Sequence, residues 1–113
     1  MSLLIREATE DDLPAVLALY AQPAMDNGKV LTLEEAKLVL ALFRQYPSYR
    51  LWVACALASD CANDGAVVGT YALLIMHNLA HRGSSSAIVE DVVVSPDRQG
   101  QGIGQQMMQH AQQ

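Results

Sequence analysis

Two acidic residues, Glu90 and Asp91, interrupt the otherwise apolar run "AIVEDVVV", and three glycines alternate shortly after it in "RQGQGIGQQMM". Carboxylates set into an apolar strand are candidates for proton transfer. Gly100, Gly102 and Gly104 lie between that strand and a segment of helical periodicity. This order makes an anion site. Glycines let successive backbone N–H groups converge, and a phosphate can approach without a Cβ in its path. The N-terminus of the following helix adds unpaired donors and a partial positive charge. The backbone itself would be the ligand. Two phosphate motifs do not fit. A P-loop needs GxxxxGK[ST], and no lysine follows these glycines; a dinucleotide fingerprint needs glycine or alanine where Met107 stands.

The elements that must position these residues follow from local signals. Leu3 to Arg6 reads as a first strand. Thr9 can cap a helix, with Glu10, Asp11 and Asp12 at its positive end and Pro14 in its first turn. These acids are read as helix-start chemistry only. Leu13, Val16, Leu17 and Tyr20 follow at helical spacing. Thr32 and Glu35 have the spacing of a capping box, and Leu38, Leu42 and Tyr46 continue one helix face until Pro47. "YRLWVACALA", residues 66–79 and "AIVEDVVV" are three strands, the first two joined by a hairpin at Asn63-Asp64-Gly65. A last helix starts near Gly102, with Ile103, Met107 and Ala111 on one face. The order β-α-α-β-β-β-α predicts an α+β domain, a mainly antiparallel sheet flanked by helices.

Composition bounds the function. The chain has 113 residues, which suits a single domain spanning 1–113, and 51% are apolar, which argues against disorder. A net charge of −5 disfavours nucleic acid and anionic membrane as partners and tolerates a cationic substrate. Cys55 and Cys61 form no CxxC pair and read as reduced apolar residues. The N-terminus lacks the pattern of a signal peptide, and no apolar run reaches a membrane-spanning length. A cytoplasmic protein is the expectation. Three histidines without a second ligand set give no reason to expect a metal. His77 and His81 read as loop residues, and Tyr46, Tyr49, Trp52 and Tyr71 as core rings.

"VEDVVVSPDRQGQGIGQQMM" resembles the acyl-coenzyme A binding segment of the GCN5-related N-acetyltransferase (GNAT) family, whose signature [QR]-x-x-G-x-[GA] is met by Gln99, Gly102 and Gly104. The opening "IREATEDDLPAVLALY" is similar to that family's first strand and helix, so the resemblance runs the length of the chain. It implies that acetyl-CoA is the cosubstrate and a primary amine the acceptor, without a metal. It implies that Gln99, Gly100, Gln101, Gly102, Ile103, Gly104 and Gln105 hold the pyrophosphate by main-chain N–H groups. Val92, Val93 and Val94 would present a strand to the pantetheine arm, bulged so that one N–H polarises the thioester carbonyl.

Acetyl transfer needs a neutral amine, and Glu90 and Asp91 are the candidates to provide it. Strand alternation implies that only one of the two points into the cleft. The strand is similar to the "EDIAV" type of glucosamine-phosphate acetyltransferases, which favours Glu90 as the water-linked base and Asp91 as an orienting residue. Arg98 could reach an outer phosphate. The family's domain continues beyond this helix with further strands and a tyrosine that protonates the thiolate; no residue here matches that tyrosine. A C-terminally truncated domain is expected, or one completed by homodimer pairing along the strand edge, or a non-catalytic CoA-binding module.

Overall fold

A computed structural model of the chain describes residues 2–57 and 66–112. Four strands, β1 (Ser2–Glu7), β2 (Tyr49–Leu57), β3 (Ala66–His77) and β4 (Ser85–Val94), form one sheet in the order β1-β2-β3-β4, each pair antiparallel. Helices α1 (Leu13–Tyr20) and α2 (Leu33–Phe43) lie between β1 and β2 in sequence, and α3 (Ile103–Ala111) follows β4. The predicted order and antiparallel meander are the observed ones. The "NDG" hairpin and Cys61 lie outside the described residues.

The sheet is covered on both faces. On one, Val16 of α1 and Leu40 of α2 pack over Leu51, Val53, Cys55 and Ala72. On the other, Ile103 and Met107 of α3 pack over Ala54, Tyr71 and Leu73. Covering both faces explains why β2 and β3 read as continuous apolar runs. Gly69 sets how closely α3 can lie. A Cβ there would come within 3.1 Å of Met107 Sδ and 3.3 Å of Ile103 Cγ2. The helix therefore rests on β3 where the strand has no side chain.

Two sequence expectations change. Asp12 does more than favour a helix start. After a short 3-10 turn (Glu10–Asp12), its nearly buried carboxylate accepts both guanidinium nitrogens of Arg6, at 2.7 and 2.8 Å, and the Thr9 N–H at 2.8 Å. It fastens the entry of α1 to β1, and the hydrogen bond from Arg6 holds its pKa below the usual carboxylate value. The second change concerns α2. The Thr32–Glu35 capping box forms, with bonds of 3.0 and 3.2 Å, but the helix ends at Phe43 and not at Pro47. Its buried side is Ala36 and Leu40, with Phe43 packed against them, whereas Leu38 (70% exposed), Leu42 (54%) and Tyr46 (58%) face outward. Apolar residues encircle most of this helix, so periodicity alone offers two stripes. The smaller residue, Ala36, turns inward, where the helix must approach the sheet.

Candidate active site

Between Thr70↔Val93 and Ala72↔Glu90 the β3–β4 register slips, so Asp91 and Val92 together oppose the single residue Tyr71. This is a β-bulge, with Asp91 in the left-handed region at φ +55°. Aspartate is among the few side chains that tolerate that conformation. The bulge breaks the strict alternation of β4 between Glu90 and Val93. Burial raises the pKa of Tyr49, and the charges of both Glu90 and Asp91 push it further. Tyr20, at the end of α1, is raised first by burial and then by Asp91. The charges of both acids therefore reach Tyr49, and that of Asp91 reaches Tyr20. Val93 is buried beyond the bulge, Val94 packs against the α3 core, and Val92 is exposed.

After β4 comes a short 3-10 turn (Pro96–Arg98), then the glycines. Gly100 and Gly102 adopt φ +84° and +81°, and no atom lies within 4 Å of where a Cβ would sit on either. Gly102 is the N-cap of α3, and no side chain caps that helix. Its first-turn N–H groups are thus unpartnered by intrahelical bonds or a cap, beside open space that glycine keeps clear. These features fit a pyrophosphate. Gln99 Nε2 is 3.5 Å from the Val94 carbonyl, at the limit for a hydrogen bond. Ile103 is buried against β3, and Gly104 lies in the helix with Val94 Cγ2 3.9 Å from its notional Cβ. Gln101 and Gln105 are exposed.

Two positioning contacts escape the sequence reading. Gln22, just past α1, donates to the Val94 carbonyl at 2.9 Å and ties the end of β4 to the helix side. His110 anchors the far end of α3: its Nδ1 lies 2.6 Å from the buried Tyr71 hydroxyl, and its ring meets Trp52 edge-on at 4.8 Å. Burial pushes the Tyr71 hydroxyl up to about 12. Of the four rings expected in the core, Tyr71 is fully buried, Trp52 and Tyr49 are partly so, and Tyr46 is exposed.

Tyr46 instead helps to wall a groove. Tyr46, Tyr49, Leu74, Ile88 and Glu90 enclose about 160 Å³ beside the bulge. A larger cavity of about 410 Å³ lies between α1 and α2, lined by residues that include Tyr20, Val39 and Phe43. Phe43 and Tyr49, one ring from each cavity, stack at 4.2 Å and form the partition between them. The outer edge of β4 is paired to no strand among the described residues. Among those residues, no group of His, Cys, Asp and Glu could hold a metal ion, and no helix is long and apolar enough to cross a membrane.

The arrangement can bind an anion by backbone past the end of a bulged strand, with two carboxylates at and beside the bulge. Comparisons with known proteins bear on the fold and the family. An acetyltransferase from Trypanosoma brucei superposes with TM-score 0.76 over 97% of this chain and 72% of its own, at 24% identity. A protein from Agrobacterium tumefaciens str. C58, proposed to be an acetyltransferase, is 32% identical over 98% of this chain and 70% of its own, with TM-score 0.75. Glucosamine-6-phosphate N-acetyltransferase from Arabidopsis thaliana shares the fold at TM-score 0.80 and 19% identity, over 99% and 73%. No curated protein matches the sequence. The sequence profile of the acetyltransferase (GNAT) family matches residues 6–113, and the chain belongs to that family.

Proposed function

We propose that the protein transfers the acetyl group of acetyl-CoA to a primary amine by direct attack. The observation that carries this reading is the bulge at Asp91–Val92 placed one short turn before the uncapped glycine entry to α3. Phosphates at that entry would leave the pantetheine arm running along the open edge of β4, as an added strand. The thioester carbonyl then falls at the bulge, where a main-chain N–H freed from the ladder can stabilise the developing oxyanion.

In the proposed reaction the amine nitrogen attacks the thioester carbon, and the C–S bond breaks as the tetrahedral intermediate collapses. The proton lost by the amine passes through water to Glu90, and the departing thiolate takes a proton from solvent, so that coenzyme A leaves as its thiol. Asp91 orients the amine. Val92, Val93 and Val94 present the strand, and Gln99 to Gln105 present the turn. Thiol release from acetyl-CoA over a panel of amines tests the reading. Amine-dependent release is expected; acetyl-CoA binding without turnover on any amine overturns it in favour of a CoA-binding module.

A further inference from the structure

Resting on the amine-acetylation reading, we infer that the acceptor is a cationic amine with a compact apolar body, of the arylalkylamine type, held in the groove that Tyr46 and Tyr49 wall together with Leu74, Ile88 and Glu90. The groove beside the bulge is a built feature. Ser48, between the two tyrosines, takes φ +64°, and its carbonyl accepts the Ile75 N–H at 3.0 Å. Arg50 Nη1 donates to the carbonyls of both Tyr46 and Tyr49, at 3.2 and 2.8 Å. The turn so fixed sets the two rings 5.9 Å apart at 31°, and Tyr49 is backed by its stack on Phe43. Tyr46 is a large ring left 58% exposed on the open side.

The lining selects by chemistry. Leu74 and Ile88 offer no side-chain donor or acceptor, so a polyhydroxylated amine would find polar side-chain partners only in the Tyr46 and Tyr49 hydroxyls and Glu90, fewer than its hydroxyls need. Glu90 is the one charged residue lining the groove, and the charge of Asp91 also reaches Tyr49. No lysine or arginine lines it among the described residues. A phosphorylated amine would bring a dianion beside these carboxylates without a counter-charge. An ammonium group meets the carboxylates and the π-faces of the tyrosines, and an aromatic or alkyl body meets Leu74 and Ile88. The lining thus argues against a sugar-phosphate acceptor such as the one the Arabidopsis enzyme's name specifies.

The test is calorimetric binding of 2-phenylethylamine to the full chain, with and without coenzyme A, against 2-phenylethanol and glucosamine 6-phosphate. The amine is expected to bind at least roughly tenfold more tightly than the neutral alcohol, because only the amine pairs with the carboxylates. Tyr46→Ala, which removes an exposed ring, should weaken amine binding by roughly three- to tenfold at an unchanged Tm. In the thiol-release assay the same substitution should raise KM for 2-phenylethylamine and change kcat little. Tighter binding of glucosamine 6-phosphate, an unchanged affinity in Tyr46→Ala, or no amine binding overturns the assignment. Amine binding without turnover overturns acetyl transfer and leaves the groove's specificity standing. Turnover of polar amines without 2-phenylethylamine binding does the reverse.

Discussion

Replacing Gly102 with alanine separates the backbone's role in folding from its role as a ligand. At φ +81° the residue sits where an L side chain is strained, and the open space around it means that no packing clash adds to the cost. Left-handed conformation costs roughly 1–2 kcal/mol for a residue with a Cβ, and the stiffer unfolded chain worsens nothing and offsets part of it. A net loss of about 1 kcal/mol lowers Tm by roughly 4 °C in a domain of this size. Such a protein is still almost wholly folded at 25 °C, so stability alone leaves acetyl-CoA affinity intact. The methyl group, however, would stand in the open space beside the uncapped end of α3, where the proposed site receives the pyrophosphate. Loss of one N–H bond to a charged oxygen is worth about 1.5–3 kcal/mol, roughly 10- to 150-fold in Kd. Thermal melts and calorimetric titration with acetyl-CoA read the two effects separately. Gly104→Ala calibrates the melts: its Cβ would make only an ordinary 3.9 Å contact inside α3, and higher helix propensity should raise stability by about 1 kcal/mol. A Gly102→Ala protein that melts lower yet binds acetyl-CoA with unchanged Kd refutes the claim that this turn's backbone is the phosphate ligand.

Glu90→Gln should lower kcat by about 100-fold or more and alter the pH dependence of kcat/KM, as loss of a general base does; an unaltered profile removes Glu90 from proton transfer. Asp91→Asn keeps a residue that tolerates the bulge conformation and removes its charge, so the Tyr49 and Tyr20 hydroxyls should ionise at lower pH in an ultraviolet titration. Asp12 carries a depressed pKa in the folded chain, so its contribution is present above the unfolded value near pH 4 and is lost as pH falls through the folded one. Asp12→Asn should therefore be less stable at neutral pH by about 2 kcal/mol, the worth of hydrogen bonds to a charged partner, and should lose less on acidification. Chemical denaturation at pH 7 and pH 3 checks both the difference and its sign.

The sequence disclosed the elements that depend on residue type and spacing. Alternating glycines marked the turn between β4 and α3, and β-branched residues around Glu90 and Asp91 named the strand. The bulge was implied by the family resemblance alone; the residues did not place it, because "VEDVVV" is compatible with strict alternation and the slip is set by pairing with β3. The outward turn of Leu38, Leu42 and Tyr46 was hidden for a related reason: α2 carries apolar residues on nearly every side, and only contact with α1 and the sheet selects the buried stripe. Nothing in the sequence marks Gly69 as the place where α3 rests on β3. Gln22, His110 and Arg50 act across 72, 39 and up to 4 positions respectively. The first two contacts are properties of the folded chain, and only Arg50 was near enough to its partners for a local reading.

Calorimetric titration of the unmodified chain with acetyl-CoA bears most directly on the central claim that the bulged strand and glycine turn form one acyl-CoA site. One-site saturable binding is expected, weakened by Gly102→Ala and accompanied by chemical-shift changes in the amides of residues 92–94 and 99–105. Absence of saturable binding at millimolar acetyl-CoA, or binding whose shifts spare those amides, would contradict it.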